Sequence, residues 1–174
     1  MESLRGQLLL AGPYLHDPNF FRTVVLVLEH GPEEGALGVV LNRPTDLSVR
    51  DALPAWADAV SRPDAVFLGG PVSPGTALAL GRGPQFETIV GDVGVVDLES
   101  AASEWTDVRV FSGYAGWSPG QLESELAQDA WFVLPASPED LCTTAPDDLW
   151  STVLARQRGP LSLLARYPDE PAFN

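Results

Sequence analysis

The stretch DPNFFRTVVLVLEHGPEEGALGVVLNRP, Asp17 to Pro44, constrains the fold more than any other part of the chain. It holds two apolar runs, Thr23–Leu28 and Leu37–Leu41, split by the turn Gly31-Pro32-Glu33-Glu34-Gly35. Both runs are short, β-branched and continuous, which predicts strands buried on both faces. A hairpin laid through the middle of a core meets that demand. Polar side chains gather where the runs begin and end: Asp17, Asn19, Arg22, Glu29, His30, Asn42 and Arg43. These tips are the first place to look for function.

The rest of the chain supplies elements around this hairpin. Gly6–Ala11 reads as a first strand, ended by Gly12-Pro13, and His16-Asp17-Pro18-Asn19 as an Asx-type turn. Thr23–Glu29 and Ala36–Asn42 are the hairpin strands, stopped by Arg43-Pro44. Ser48-Val49-Arg50-Asp51 opens a short helix that Pro54 cuts, and Trp56–Val60 adds a helical turn. Val66–Leu68, Ala77–Leu80, Thr88–Val90 and Val93–Val96 are strands, the last two joined by Gly91-Asp92. Asp97–Ser103 is expected as a short helix capped by Asp97. Val108–Phe111 leads into a tight strand-to-helix turn at Ser112, followed by a helix with Ser118 as N-cap, Pro119 at N1 and Gln121 at N3. Trp131–Leu134 is the last strand. Two helices follow, one opened by Ser137-Pro138 and one over Asp147–Arg156 with Leu149, Val153 and Leu154 inward. Tyr167–Asn174 is Pro-rich and expected to be extended. Hairpins outnumber crossovers, so the reading is α+β with a largely antiparallel or mixed sheet.

At 174 residues and 45% hydrophobic, the chain suits one domain over 1–174 with a real core. The net charge of −14 speaks first to solubility. Ten Lys and Arg residues, spread from Arg5 to Arg166, disfavour direct nucleic-acid binding, where affinity rests on neutralising phosphates. One cysteine, Cys142, excludes an internal disulfide and a cysteine-based zinc site, and fits a reducing cytosol. No apolar run approaches the ~20 residues of a membrane helix. A cytoplasmic protein without a membrane partner is expected.

The candidate chemistry is sparse. Ser112 follows a strand and precedes Gly113, with His30 and several acids elsewhere, and no G-x-S-x-G elbow is expected in the chain. His16 and His30 lack metal-ligand spacing, so no metal site is expected. Gly69-Gly70-Pro71 follows a strand without the rest of a nucleotide motif, so no cofactor is expected. The helix start at Ser118–Gln121 reads as capped by Ser118 itself rather than as an anion site. Arg22 and Arg43 end buried runs. They read either as ion pairs with Asp17, Glu29 or another acid, or as a carboxylate or phosphate clamp. Tyr114, Trp117 and Trp131 are assigned to packing, and Glu123, Glu125 and Asp129 to a solvated helix face.

Three blocks together resemble one family. They are LLLAGPYLHDPNFFRTVVLVLEHGPEEGALGVVLNRP, LGGPV at Leu68–Val72, and SGYAGWSPGQLESELAQDAWFV at Ser112–Val133. They are similar to the bacterial YqgE/AlgH proteins over Leu8 to about Pro135. The motif positions present are Asp17, Asn19, Phe20, Arg22, His30, Asn42, Arg43, Gly69, Gly70, Gly113, Trp117 and Gln121. Ser73–Gly83 departs, being Pro/Gly/Ala-rich where many members carry an aromatic-histidine segment. The tail after Pro135 resembles the actinobacterial members. The resemblance implies an α+β fold with a bifurcated, mostly antiparallel sheet forming a pseudo-barrel flanked by helices. It brings a transcriptional-regulator label but no catalytic residue set. The expected function is therefore a non-enzymatic binding or regulatory protein acting through a protein partner or a small ligand. Asp17, Asn19, Arg22, His30, Asn42, Arg43 and Ser112 are its candidate binding residues. The alternative is a hydrolase-like enzyme with a polar pocket at the strand ends.

Overall fold

The period-two sorting of side chains in the first three strands builds two cores at once. These strands are β1 (Gln7–Ala11), β2 (Val24–Gly31) and β3 (Gly35–Val40). They pair antiparallel, with Leu8 opposite Leu26 and Val25 opposite Val40. Leu8, Leu10, Val24, Leu26 and Val39 enter the larger core, while Leu9, Ala11, Val25, Val27 and Val40 enter a second on the opposite face. Val24 to Val27 are 0% exposed, as a strand buried on both faces requires. Each such Val or Leu contributes roughly 1.5–3 kcal/mol of burial, so the hairpin is the energetic centre of the sheet. At the turn, Gly35 takes φ +79 and lies against the next strand, where a Cβ would sit 2.1 Å from the Trp117 carbonyl oxygen.

The computed structural model describes residues 2–85 and 87–166. Further strands are β4 (Phe67–Leu68), β5 (Val72–Arg82), β6 (Thr88–Val90), β7 (Val93–Val95), β8 (Thr106–Trp117) and β9 (Trp131–Pro135). Among the described residues the sheet order is β6-β7-β5-β8-β3-β2-β1-β9, with the short β4 parallel to β8. Every other strand pair is antiparallel. The sheet forks where β3 leaves β8 after Gly38 and Ala115. β4 fills the fork: the Val40 N–H donates to the Gly69 carbonyl, and the Gly69 N–H to the Ser112 carbonyl. The sheet curls into a half-barrel, so that Val90 and Val93 of the far hairpin share a core with Leu134 and Leu141. A third core, around Val49, Trp56, Trp105 and Val108, lies behind the β5–β8 half.

The helices are short: α1 (Val49–Ala52), α2 (Gln121–Ala127), α3 (Pro138–Leu141), α4 (Leu149–Ala155) and α5 (Leu161–Leu164). The Ser48 hydroxyl caps α1 at the Asp51 N–H, and a Ser137/Asp140 capping box opens α3. Leu149, Val153 and Leu154 of α4 are buried, as their spacing predicts.

Four local expectations are corrected. β8 runs on through Ser112 to Trp117 instead of turning there, with Gly113 at φ +74 inside the strand, Phe111 in the larger core and Ala115 and Trp117 in the second. β5 starts at Val72, with Ser73–Thr76 bulging out between the pairs Val72–Tyr114 and Ala77–Ser112. Asp97 accepts from the Glu99 N–H in an Asx turn, and only Ala102–Glu104 forms a single 3-10 turn. α2 begins at Gln121, after Gly120 at φ +82, and Ser118 is not its N-cap. Half of a capping box survives, since the Ser118 N–H donates to Gln121 Oε1 at 3.0 Å. The expected extended tail, Tyr167–Asn174, lies outside the described residues.

Candidate functional site

Five of the seven candidate residues meet at one end of the β2–β3 hairpin. The approach to β2 is a tight turn in which Asp17 Oδ1 accepts from the Asn19 N–H at 2.8 Å. The Asp17 carbonyl accepts from Phe20 and Phe21. Arg22 then takes φ +54, which redirects the chain into the strand. Asn42 replaces the missing strand ladder at this point. Its Oδ1 accepts from the Val24 N–H at 3.0 Å and its Nδ2 donates to the Arg22 carbonyl at 2.9 Å. Arg43 gathers the turn from outside, donating to the carbonyls of Pro18 (2.8 Å), Asn19 (2.7 Å) and Phe21 (3.1 Å).

A concavity of about 220 Å³ opens here, walled by Phe21, Arg22, Asn42, Arg43 and, from the α4 region, Asp147, Trp150 and Ser151. The Arg22 guanidinium lies 4.3 Å from the Trp150 ring, whose indole N–H donates to the Ala11 carbonyl. Arg43 is half-buried, and its desolvation pulls its pKa down while Asp17 pulls the other way. Among the described residues no carboxylate forms an ion pair with Arg43. Of the two readings of this arginine, the simple ion pair is therefore corrected: neutral carbonyls hold it. The α4 wall was not foreseen, because Trp150 reads in sequence as one more apolar helix residue.

His30 stands at the opposite end of β2, seven residues and roughly 23 Å from Thr23 at strand rise. Its Nδ1 accepts from the Leu4 N–H at 3.0 Å and its Nε2 faces Glu123 Oε1 at 2.6 Å. That hydrogen bond leads the causes that hold the Glu123 carboxyl below its ordinary value. Ser112 is also apart. It lies in the cross-strand row Arg43–Leu68–Ser112, two strands from Arg43, and its hydroxyl donates to the Pro74 carbonyl.

The letters G-x-S-x-G do occur, at Gly116-Trp117-Ser118-Pro119-Gly120, a match that the focus on Ser112 passed over. The structure does not make it an elbow. Ser118 is not among the non-glycine residues at positive φ, and its hydroxyl faces Gln121 Oε1 at 3.2 Å. Both nitrogens of His30 are engaged elsewhere, so serine, histidine and acid do not form a relay.

The helix face expected to be solvated is instead structural. Glu125 Oε1 accepts from both indoles, Trp117 at 3.0 Å and Trp131 at 2.9 Å. Those rings pack edge-on, 5.9 Å apart, with Phe20 against both. A further cation was overlooked. Arg109, 2% exposed, donates to the carbonyls of Thr143 (2.8 Å) and Arg62 (2.7 Å) and stacks 4.3 Å from the Phe67 ring. Burial lowers its pKa to about 10. It ties two loops, at 61–62 and at Thr143, to β8 and lines neither concavity of the candidate residues. Among the described residues no group of three His, Cys, Asp or Glu could hold a metal ion.

A family model described as AlgH-like matches residues 8–162. The chain belongs to the AlgH-like family. A UPF0301 protein of Streptomyces avermitilis is 47% identical, covering 100% of this chain and 97% of its own. Another from Streptomyces coelicolor is 48% identical with the same coverage. A crystal structure of a Corynebacterium diphtheriae protein superposes with TM-score 0.85 at 31% identity, covering 93% of this chain and 91% of that one. The solution structure of AlgH from Pseudomonas aeruginosa superposes with TM-score 0.69 at 31% identity, covering 97% and 96%. The AlgH-like fold is thus a mostly antiparallel half-barrel with few helices, as the motif blocks implied. No helix among the described residues is long and apolar enough to cross a membrane.

Proposed function

We propose that this AlgH-like protein is a non-enzymatic cytoplasmic binding or regulatory protein, and that its recognition point is the Arg43 end of the hairpin. The ligand, a small molecule or a side chain of a partner protein, brings an anionic group. One observation carries this reading. Arg43 is a half-buried guanidinium satisfied by three neutral carbonyls and by no carboxylate, at the wall of a 220 Å³ concavity. Carbonyl partners fix its geometry, and Asp17 acts on it through space without a hydrogen bond, so an incoming anion gains a charge-assisted hydrogen bond without having to displace an acid. Nucleic acid is a poor candidate for that anion, since a chain of net charge −14 repels a polyphosphate outside this one point.

The test is a titration of labelled protein with inorganic phosphate and with acetate, followed by amide chemical shifts. Perturbations centred on Asn42, Arg43 and Ser151 are expected, with affinity reduced about tenfold or more in Arg43→Gln. Absence of perturbation there at millimolar anion overturns the site. Turnover of ester, phosphate or peptide substrates that is lost in Ser112→Ala, Ser118→Ala or His30→Ala overturns the non-enzymatic reading.

A further inference from the structure

The opposite end of the hairpin plays no part in the reading above, yet it holds a buried titratable ring between two partners. The His30 side chain is 4% exposed. Because the Leu4 N–H donates to Nδ1, that nitrogen carries no proton, and the proton sits on Nε2 toward Glu123. The same residue also holds Ser3, whose hydroxyl donates to the His30 carbonyl at 3.2 Å. Leu4 packs on the second core, the one containing Trp117 and Leu122. After these two contacts the chain is tied independently: the Gly6 N–H donates to the Val27 carbonyl at 2.8 Å, and β1 follows. Gly6 takes φ +83 inside a turn that the Gln7 N–H closes onto the Leu4 carbonyl at 2.9 Å. Beside this segment lies a concavity of about 340 Å³ lined by Ser3, His30, Gly31, Pro32, Gly120 and Glu123.

We infer that residues 2–4 form an acid-released strap, held down by the neutral His30 ring and let go when Nδ1 takes up a proton. A protonated imidazole has two donors and no acceptor, so the Leu4 N–H then meets an N–H. The bond from Nε2 to Glu123 survives and gains charge assistance. Carboxylates stand on two elements near the ring. Glu123 reaches it from α2, and the Glu34 carboxylate lies over neighbouring Gly31 in the turn. Opposite it on β3 stands uncharged Ala36. Of the charges on and beside the strap, Arg5 is turned away to Glu87 and the Thr88 carbonyl, and Glu2 is exposed. Release uncovers both the concavity and the apolar seat of Leu4, which makes this end a surface present only in acid.

The experiment uses the whole chain, labelled with nitrogen-15, from about pH 8 to about pH 5 at fixed salt. His30 ring shifts and the exchange protection of the Leu4 amide are followed together, with the Val27-bonded Gly6 amide as internal control. Leu4 protection is expected to fall about tenfold as the ring protonates, while Gly6 keeps its protection. In His30→Gln, whose amide oxygen accepts at every pH, Leu4 protection is expected to be independent of pH. Leu4 protection unchanged through ring protonation overturns the inference, as does a ring that stays neutral down to pH 5. Both readouts come from the unmodified protein, so the result does not depend on the variant folding.

Discussion

The two ends of one hairpin solve the same problem in opposite ways. Each must hold a nitrogen-rich side chain beside buried strands. At the Arg43 end the cation is surrounded by the carbonyls of Pro18, Asn19 and Phe21, so its hydrogen bonds go to neutral groups while Asp17 acts on it through space. At the His30 end the ring has a carboxylate on one side and a main-chain N–H on the other, so each of its nitrogens has a partner within the protein. The first arrangement invites an external anion. The second leaves neither ring nitrogen without a partner. Polar residues at strand tips are therefore not equivalent, and what separates them is whether a carboxylate is hydrogen-bonded to the nitrogen or acts on it through space.

The sharpest way to break this contrast is to remove the residue that organises the Arg43 end. Asn42→Ala strips partners from both the Val24 N–H and the Arg22 carbonyl. It is expected to lower stability by about 2–4 kcal/mol in urea melts, with Arg43 losing its fixed position. A cost under about 0.5 kcal/mol would mean that the tip is held by packing alone. Glu125→Leu comes next, since it leaves two indole N–H groups unpaired. We expect a loss of about 2–3 kcal/mol and altered tryptophan fluorescence, largely restored in Glu125→Gln.

The His30 end is tested by pH. The Glu123 carboxyl is held below 4.5, its ordinary value. Its folded-state pKa is thus depressed, so its contribution is present above the unfolded value and lost as pH falls through the folded one. Acid melts of Glu123→Gln should lack that part of the slope below about pH 4.5, whereas Arg43→Gln should retain it. An unchanged slope in Glu123→Gln would detach this carboxylate from the His30 end. Smallest is Ser112→Ala, whose hydroxyl touches only the Pro74 carbonyl at the bulge. A stability change within about 1 kcal/mol is expected, with anion binding intact.

Much of the fold was legible because buried strands and helix starts are written locally. The unbroken apolar runs at Thr23–Leu28 and Leu37–Leu41 announced a strand with no solvent face, and Ser48 and Ser137 announced their helices through capping geometry. Ser112–Trp117 was misread because its glycines signal a turn when taken singly, whereas Gly113 takes its positive φ within the strand and Ala115 and Trp117 go on into the second core. Ser118 was misread because Gly120 breaks the helical path two residues after an otherwise persuasive cap. The candidate site was half legible. Its polar residues stand within a few positions of the strand ends, so their types and neighbourhood could be named. That Asn42 serves two main-chain groups, or that Trp150 walls the concavity from more than 100 residues away, has no local signature.

The amino-acid order alone determined the central hairpin, its double burial and the ring of polar residues at its tips, because apolar periodicity and turn chemistry act over a few residues. Only the folded chain decided which of those polar residues share a cavity and which are neutralised. That choice depends on contacts across the fork and from α4 and the N-terminal segment, where distance along the chain says nothing about distance in space.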